Sequence, residues 1–367
     1  MKHIGFVLLL CVTLQAHART DTLQQKRKTS LIKSGKLVPL PMVYYTPETH
    51  VGGGLSIFSV FKTSQKDSML NSSMARVAAH YTMNKQYWVE MTYSLIFPMS
   101  KYILTGNISY MKYPNYFFGI GNTTLDSDRE QFDYYAGNFY SRVIRKIKGK
   151  AYLGVQAHYN SMSNLVVHSG GILASGKVIG ASDGHSMGLG ITFIYDSRNS
   201  IINAQRGTYL EISNLSHREE LGSSFSFDLY RLDIRKYLPI NESAKKVLAL
   251  QGLVMAASQR VPFNRMPMLG GEALMRGYFL GRFRDNAMYV TQSEYRQTVN
   301  KWFGFVVFGS FGDVARSLES LDLKNTKYSY GAGLRIALNS KERLNLRIDY
   351  GRGSSGGLFY FTVGEAF

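Results

Sequence analysis

From about residue 39 onward the chain is a series of short apolar–polar alternations, each closed by a polar or glycine-rich break. Tyr87-Trp88-Val89-Glu90-Met91-Thr92-Tyr93 shows the period: Trp88, Glu90 and Thr92 share one parity, while Val89, Met91 and Tyr93 share the other. A two-residue period is that of a β-strand with differently solvated faces. The same reading predicts strands at Pro39–Tyr45, Val51–Phe61, Ser73–Met83, Tyr87–Phe97, Lys101–Lys112, Gln131–Lys146, Ala151–Met162 and His185–Asp196. It continues through Gly207–Ser216, Ser223–Tyr237, Lys246–Ser258, Ala287–Val299, Trp302–Gly312, Lys327–Asn339, Glu342–Tyr350 and Gly357–Phe367. That is about sixteen, an even number as bacterial single-chain barrels require. Connections alternate as well. Pro98–Ser100, Lys148–Lys150, Asn300-Lys301 and Asn339–Lys341 are short and fall on one side; Tyr113–Glu130, Ser163–Gly184, Val261–Asn286 and Asp313–Thr326 are long and fall on the other. Short periplasmic turns and long external loops are the expected asymmetry of an outer-membrane barrel.

One connection stands apart. Leu269–Asn286 contains four glycines, Arg276 between Met275 and Gly277-Tyr278, and apolar Leu274, Phe279, Leu280 and Phe283. Loops beyond about 12–15 residues are usually functional or disordered, and this one has enough apolar material to pack. The expectation is an external loop folded into the lumen and anchored through Arg276.

Composition narrows the class. No apolar run of 18 residues follows residue 18, mean hydropathy is −0.14 and aromatic residues make up 13%. An exported chain with these properties fits a closed transmembrane β-barrel, in which every backbone polar group is paired. Residues 1–18 read as a signal peptide: Lys2, the apolar run Ile4–Leu14, then Ala16-His17-Ala18. Residues 19–38 read as a short basic periplasmic lead-in, too short to fold alone, and 39–367 as the barrel. The single cysteine, Cys11, falls in the signal segment, so no disulfide, thiolate nucleophile or Cys-based metal site is expected. The formal charge of +18 suggests anionic headgroups and lipopolysaccharide phosphates as partners rather than nucleic acid.

Other chemistry weighs less. Gly353-Ser354-Ser355-Gly356-Gly357 matches G-x-S-x-G, but a nucleophile elbow needs a strand–turn–helix context and this stretch joins two strands. His80, His158, His168, His185 and His217 lack metal-ligand spacing. No cofactor, no metal and no enzymatic activity is expected. Asp196, Arg198, Arg206 and Gly207 read as residues pinning a periplasmic turn.

These motifs together resemble the barrel domain of the BamA/TamA/FhaC superfamily, the bacterial surface antigen barrels of Gram-negative outer membranes. Those carrying the resemblance are Tyr44-Tyr45-Thr46-Pro47-Glu48-Thr49, Tyr195-Asp196-Ser197-Arg198 with Arg206-Gly207, Met275-Arg276-Gly277-Tyr278, Glu294-Tyr295-Arg296 and Phe367. The resemblance implies that the loop Arg276 enters the lumen and pairs with acidic groups on the next two strands. Period two puts Gln292, Glu294 and Arg296 on one face of their strand, which makes Glu294 a partner. The family's second acidic position falls on Ser310 of Phe308-Gly309-Ser310-Phe311-Gly312, so one full ion pair is expected with a weaker contact from Ser310. Asp313 has the opposite parity and would need a bulge to reach that face. Phe367 would be the strand signal at the carboxy end, placed in the interfacial aromatic belt.

Family members that insert or secrete proteins carry periplasmic POTRA domains, and none is read in residues 19–38. The leading functional reading is therefore a barrel that aids insertion or translocation of proteins or lipids with a separate partner, through a lateral seam between its first and last strands. Gly356, Gly357 and Gly364 would weaken pairing at that seam. A plugged structural or pore-forming barrel is the alternative, and a lipid-modifying outer-membrane enzyme stands third.

Overall fold

The computed structural model describes residues 37–63, 73–97, 101–168, 170–258, 260–339 and 343–367. The expected signal segment lies outside these residues, as do all of the expected lead-in except Leu37-Val38 and the turn Pro98–Ser100. Of the turn Asn339–Lys341 and the strand expected to start at Glu342, residues 340–342 lie outside them too. Leu37 and Val38 already belong to the first strand.

The chain forms β1 (Leu37–Thr46), β2 (His50–Phe61), β3 (Ser73–Thr82), β4 (Tyr87–Ile96), β5 (Tyr102–Lys112), the short β6 (Asn115–Phe117), β7 (Glu130–Lys148), β8 (Ala151–Val167) and β9 (Gly184–Asp196). It goes on with β10 (Gly207–His217), β11 (Phe227–Pro239), β12 (Lys246–Ala257), β13 (Met268–Leu269), β14 (Phe283–Arg284), β15 (Ala287–Thr298), β16 (Phe303–Ala315), β17 (Lys327–Asn339), β18 (Leu344–Gly353) and β19 (Gly356–Val363). Sixteen of these close an antiparallel barrel, each pairing with the next and β1 with β19. β6 adds a rung beside β7, and β13 pairs with β14 as a separate hairpin within the long connection from β12 to β15.

Alternation becomes burial. On β15, Met288, Val290, Gln292, Glu294 and Arg296 are buried, whereas Tyr289, Ser293 and Tyr295 are only partly covered. On β18, Arg347, Asp349, Gly351 and Gly353 are buried while Tyr350 and Arg352 are exposed. The other face carries the exposed aliphatics, among them Val77, Val89, Val155, Ile191, Val307 and Leu334. A membrane barrel presents this kind of apolar surface to lipid.

Some strands depart from the sequence reading. β7 and β8 run longer than expected, extending to Phe132↔Val167 after a register shift between Asp133 and Tyr135. β11 starts at Phe227 rather than Ser223, because Ser223 turns locally and its hydroxyl bonds the carbonyl of Phe225 at 2.7 Å. β19 ends at Val363 rather than Phe367: Gly364 takes φ +100 and folds Glu365, Ala366 and Phe367 away from the strand line.

Candidate functional site

The site is assembled from the connection between β12 and β15. Its β13–β14 hairpin brings Met268 opposite Arg284 and Leu269 opposite Phe283, so residues 270–282 leave and return at one neck. Leu269, Met275, Tyr278 and Phe283 pack with Leu253 of β12, Met288 and Val290 of β15 and Val314 of β16 in one buried cluster. Burying such side chains contributes about 1.5–3 kcal/mol each relative to exposure. This explains why so apolar a connection is ordered against the sheet.

The hairpin delivers Arg276, 2% exposed, to the buried faces of β15, β16 and β18. Its Nη2 is ion-paired with the Glu294 carboxylate and its Nη1 with that of Asp349, while the guanidinium carbon lies 3.5 Å from the Phe308 ring centroid. Both carboxylates are fully buried and shared. Arg296 Nε donates to Glu294 Oε2 at 2.7 Å, and Arg335 Nη1 donates to Asp349 Oδ1 at 2.6 Å. Arg335 also donates to Glu365 at 2.7 Å. A buried charge is tolerated only when paired and hydrogen-bonded, and here each carboxylate answers to at least two guanidinium groups.

Backbone shape makes the approach possible. Gly277 has φ +114, a conformation L side chains resist. A Cβ at Gly351 would lie 2.6 Å from the Arg276 carbonyl carbon, and one at Gly353 would collide with the Tyr278 ring. Asp349, Gly351 and Gly353 share one face of β18, so a carboxylate followed by two bare positions forms a slot for Arg276-Gly277-Tyr278. The segment is then fixed by hydrogen bonds. Gly277 N–H donates to Tyr360 Oη at 3.0 Å, and Tyr360 Oη donates to the Tyr278 carbonyl at 3.2 Å. Tyr278 Oη lies 3.0 Å from the Tyr328 carbonyl and 3.1 Å from Ser354 Oγ, and accepts the Ser354 N–H at 3.0 Å.

Two expected residues, Ser310 and Phe367, sit elsewhere. Ser310 makes its 2.7 Å hydrogen bond with Ser329, not with Arg276, whose second carboxylate is Asp349. Asp313 stays in regular register opposite Tyr289, without a bulge, and accepts from Asn122 at 3.1 Å. Phe367 is buried against Tyr237, Val247 and Ala204 beneath the Arg296 guanidinium, and so lies outside any lipid-facing belt. Asp196 and Arg198 form a two-point ion pair at 3.0 and 2.8 Å, with Arg198 stacked 4.5 Å over Tyr209. Gly207 at φ +111 lets Ser197 pass close by. Arg206 has an exposed side chain and joins that turn through its N–H, which donates to Asn199 at 3.2 Å. Ser354-Ser355 form the turn between β18 and β19, with strand on both sides.

The sequence reading does not reach Asp349, Arg335, Tyr360 or Glu365. Asp349 carries a signal, since Arg347 and Asp349 alternate with Leu346, Ile348 and Tyr350, but nothing in the chain says which strand faces a loop 73 residues away.

Beside the hairpin lies a cavity of about 910 Å³, bounded by β1, β3, β4 and β5, by residues 264–268 and 270–274, by β12 and β15 and by the end of β19. Arg76, His80, Trp88 and Glu90 line its far wall, with Trp88 stacked on His80 at 4.1 Å.

The model of the Omp85 superfamily domain matches residues 61–367. Among solved structures, the chain is similar to BamA of Haemophilus ducreyi lacking POTRA domains 1–3, at 16% identity and a TM-score of 0.59, covering 89% of this chain and 70% of that one. It is also similar to CdiB of Acinetobacter baumannii (15% identity, TM-score 0.58, covering 89% of this chain and 59% of that one). For CdiB of Escherichia coli the values are 9% identity, TM-score 0.65, and coverage of 91% and 63%. The chain thus spans less than two thirds of either CdiB chain. No curated protein matches the sequence. With a closed sixteen-strand barrel and a family match over most of its length, the chain belongs to the Omp85 superfamily and is a β-barrel of the Gram-negative outer membrane.

Proposed function

We propose that this barrel aids insertion or translocation of proteins or lipids through a seam between β1 and β19, acting with a separate protein partner. In this reading the buried face is the lumen wall, and residues 260–286 occupy the lumen as a plug held by Arg276, Gly277 and Tyr278. Outer-membrane lipid and lipopolysaccharide surround the apolar face. The turns Lys148–Lys150 and Asp196–Gly207 face the periplasm.

The observation that carries the reading is the closing ladder. β1 meets β19 at one register pair, Tyr45↔Phe361. The flanking ladders run much further: β1–β2 from Leu37↔Ser59 to Thr46↔His50, and β18–β19 from Leu346↔Val363 to Gly353↔Gly356. A strand edge whose N–H and C=O groups lack ladder partners is a template for an incoming strand. Gly364, at φ +100, ends β19 just below the closing pair and shortens the edge that could have sealed it.

The test is a Tyr45→Cys/Phe361→Cys double variant expressed in cells depleted of the native protein. The reduced form is expected to restore the outer-membrane proteome and the oxidised form to fail. Equal restoration by both forms would remove the seam. An unchanged proteome on depletion would remove the assembly role and leave a plugged structural barrel.

A further inference from the structure

The cavity beside the hairpin has an unusual chemistry for a barrel interior. Six methionines line it: Met42, Met111, Met255, Met266, Met268 and Met288. Thioether side chains are unbranched and adaptable, and they recur on surfaces that accept flexible apolar ligands. The volume of about 910 Å³ lies within the range of small-molecule pockets, roughly 300–1,000 Å³.

Among the described residues, two charged groups on its wall have no opposite charge beside them, Glu48 and Arg265. Glu90 is ion-paired with Arg76. Glu272 faces Arg347 at 3.5 Å. Glu48 accepts the Leu280 N–H at 2.7 Å, and burial raises its pKa toward the neutral form. Arg265 has no described carboxylate beside it: its Nε is buried without a partner, and burial alone pushes its pKa down to about 10. His158 and His217, titratable groups close enough to feel its charge, bring no negative charge. A guanidinium in apolar surroundings without a counter-charge is costly, and an anion would offset that cost.

The cavity also reaches the barrel's outer side. Val43 and Val363 flank the seam and are 64% and 51% exposed, yet both line the cavity. They are the positions where the ladder lapses below Tyr45↔Phe361. An apolar cavity with one uncompensated cation and exposed valines of its lining at the seam matches an amphiphile entering from lipid, chain first or head first.

We propose that this cavity binds an anionic single-chain amphiphile, its acyl chain among the methionines and its carboxylate or phosphate at Arg265. The chain's own basic residues Arg19, Lys26, Arg27, Lys28 and Lys33 make the segment before β1 a poor electrostatic match for the same place. The proposal is independent of whether the seam passes clients, since a bound amphiphile requires only the cavity itself.

The experiment is native mass spectrometry of the full chain, titrated with sodium oleate, with oleoyl-lysophosphatidylglycerol and with neutral monoolein. Oleate and the lysophospholipid are expected to bind with one-to-one saturation and monoolein at least tenfold more weakly. Arg265→Met should weaken both anionic probes at least tenfold while leaving heat-modifiable migration, and hence barrel folding, unchanged. Tight oleate binding without the lysophospholipid would narrow the head to a carboxylate, and the reverse result to a phosphate. Equal binding of monoolein, no binding of either anion, or an Arg265→Met chain that binds oleate as the native chain does would each overturn the proposal. So would a bismaleimide crosslink between Lys28→Cys and Met266→Cys in the full chain, which would make the chain's own segment the occupant.

Discussion

Two arginine–glutamate pairs sit on opposite walls of the barrel, and their surroundings give the same chemistry different weight. Arg276 and Glu294 are 2% and 0% exposed at the side chain, inside a network that also holds Asp349, Arg296 and Arg335. Arg76 and Glu90 bridge β3 and β4 with side chains 31% and 19% exposed, facing the cavity. Packed loop and aromatic ring surround Arg276 and Glu294; Arg76 and Glu90 front open space. β15–β19 together with the hairpin thus form a dense, charge-locked wall, whereas β1–β5 form a wall with room in front of it and a seam at its edge. Ion pairs in the two regions should contribute unequally, because removing one partner of a buried pair strands a charge while an exposed pair is screened by water.

The largest effect is expected at the locked wall. Arg276→Ala leaves Glu294 and Asp349 short of one partner each, a loss of about 3–5 kcal/mol for a broken buried pair. Hydrogen exchange at the Gly277 amide, bonded to Tyr360 in the native chain, should then accelerate by roughly two to four orders of magnitude. The barrel ladders themselves should keep their protection. Unchanged exchange at Gly277 would mean that the apolar cluster around Met275 and Tyr278 holds the hairpin by itself.

An intermediate effect separates shape from charge on the same wall. Gly351→Val keeps every charge but places a side chain against the Arg276 backbone, where even a Cβ would lie 2.6 Å from the carbonyl carbon. Overpacking of this kind typically costs about 1–3 kcal/mol. The hairpin should become more sensitive to added protease between Leu274 and Arg282 while the barrel still migrates as folded. A protease pattern identical to that of the native chain would show that the slot is looser than the Asp349, Gly351, Gly353 spacing implies.

How much of the molecule is legible in its sequence follows from the same contrast. The strands are, because period two is a local signal and each buried–exposed alternation, such as Gln292, Glu294 and Arg296 against Ser293 and Tyr295, is written in consecutive residues. Glu294 as a neighbour of Arg276 is reachable from parity plus the family resemblance. Asp349 is not, since closing a barrel brings β18 to the hairpin through a curvature that no short window of sequence encodes. Phe367 misleads for a local reason, the positive φ at Gly364, which turns the last residues onto the buried face. The cavity is wholly illegible: its methionines come from β1, β5, β12, β15 and the hairpin with its flank, and only their convergence gives them meaning.

The smallest expected effect is the one that sharpens the comparison most. Arg76→Ala removes the partner of Glu90 on the open wall, where the carboxylate keeps access to water and lies 3.7 Å from His80 Nε2. Partly exposed pairs of this kind contribute about 0.2–1 kcal/mol. The midpoint of heat-modifiable migration should therefore barely move, and exchange at Gly277, across the barrel, should not move at all. Raising ionic strength should shrink even that small difference, since salt screens a solvent-facing pair far more than a buried one. If Arg76→Ala instead destabilises the barrel as strongly as Arg276→Ala disturbs the hairpin, the cavity is not an open space in front of β1–β5. Something must then cover that wall and desolvate the pair, and the charge on Arg76 would have to be counted with that of Arg265 in any account of what the cavity holds.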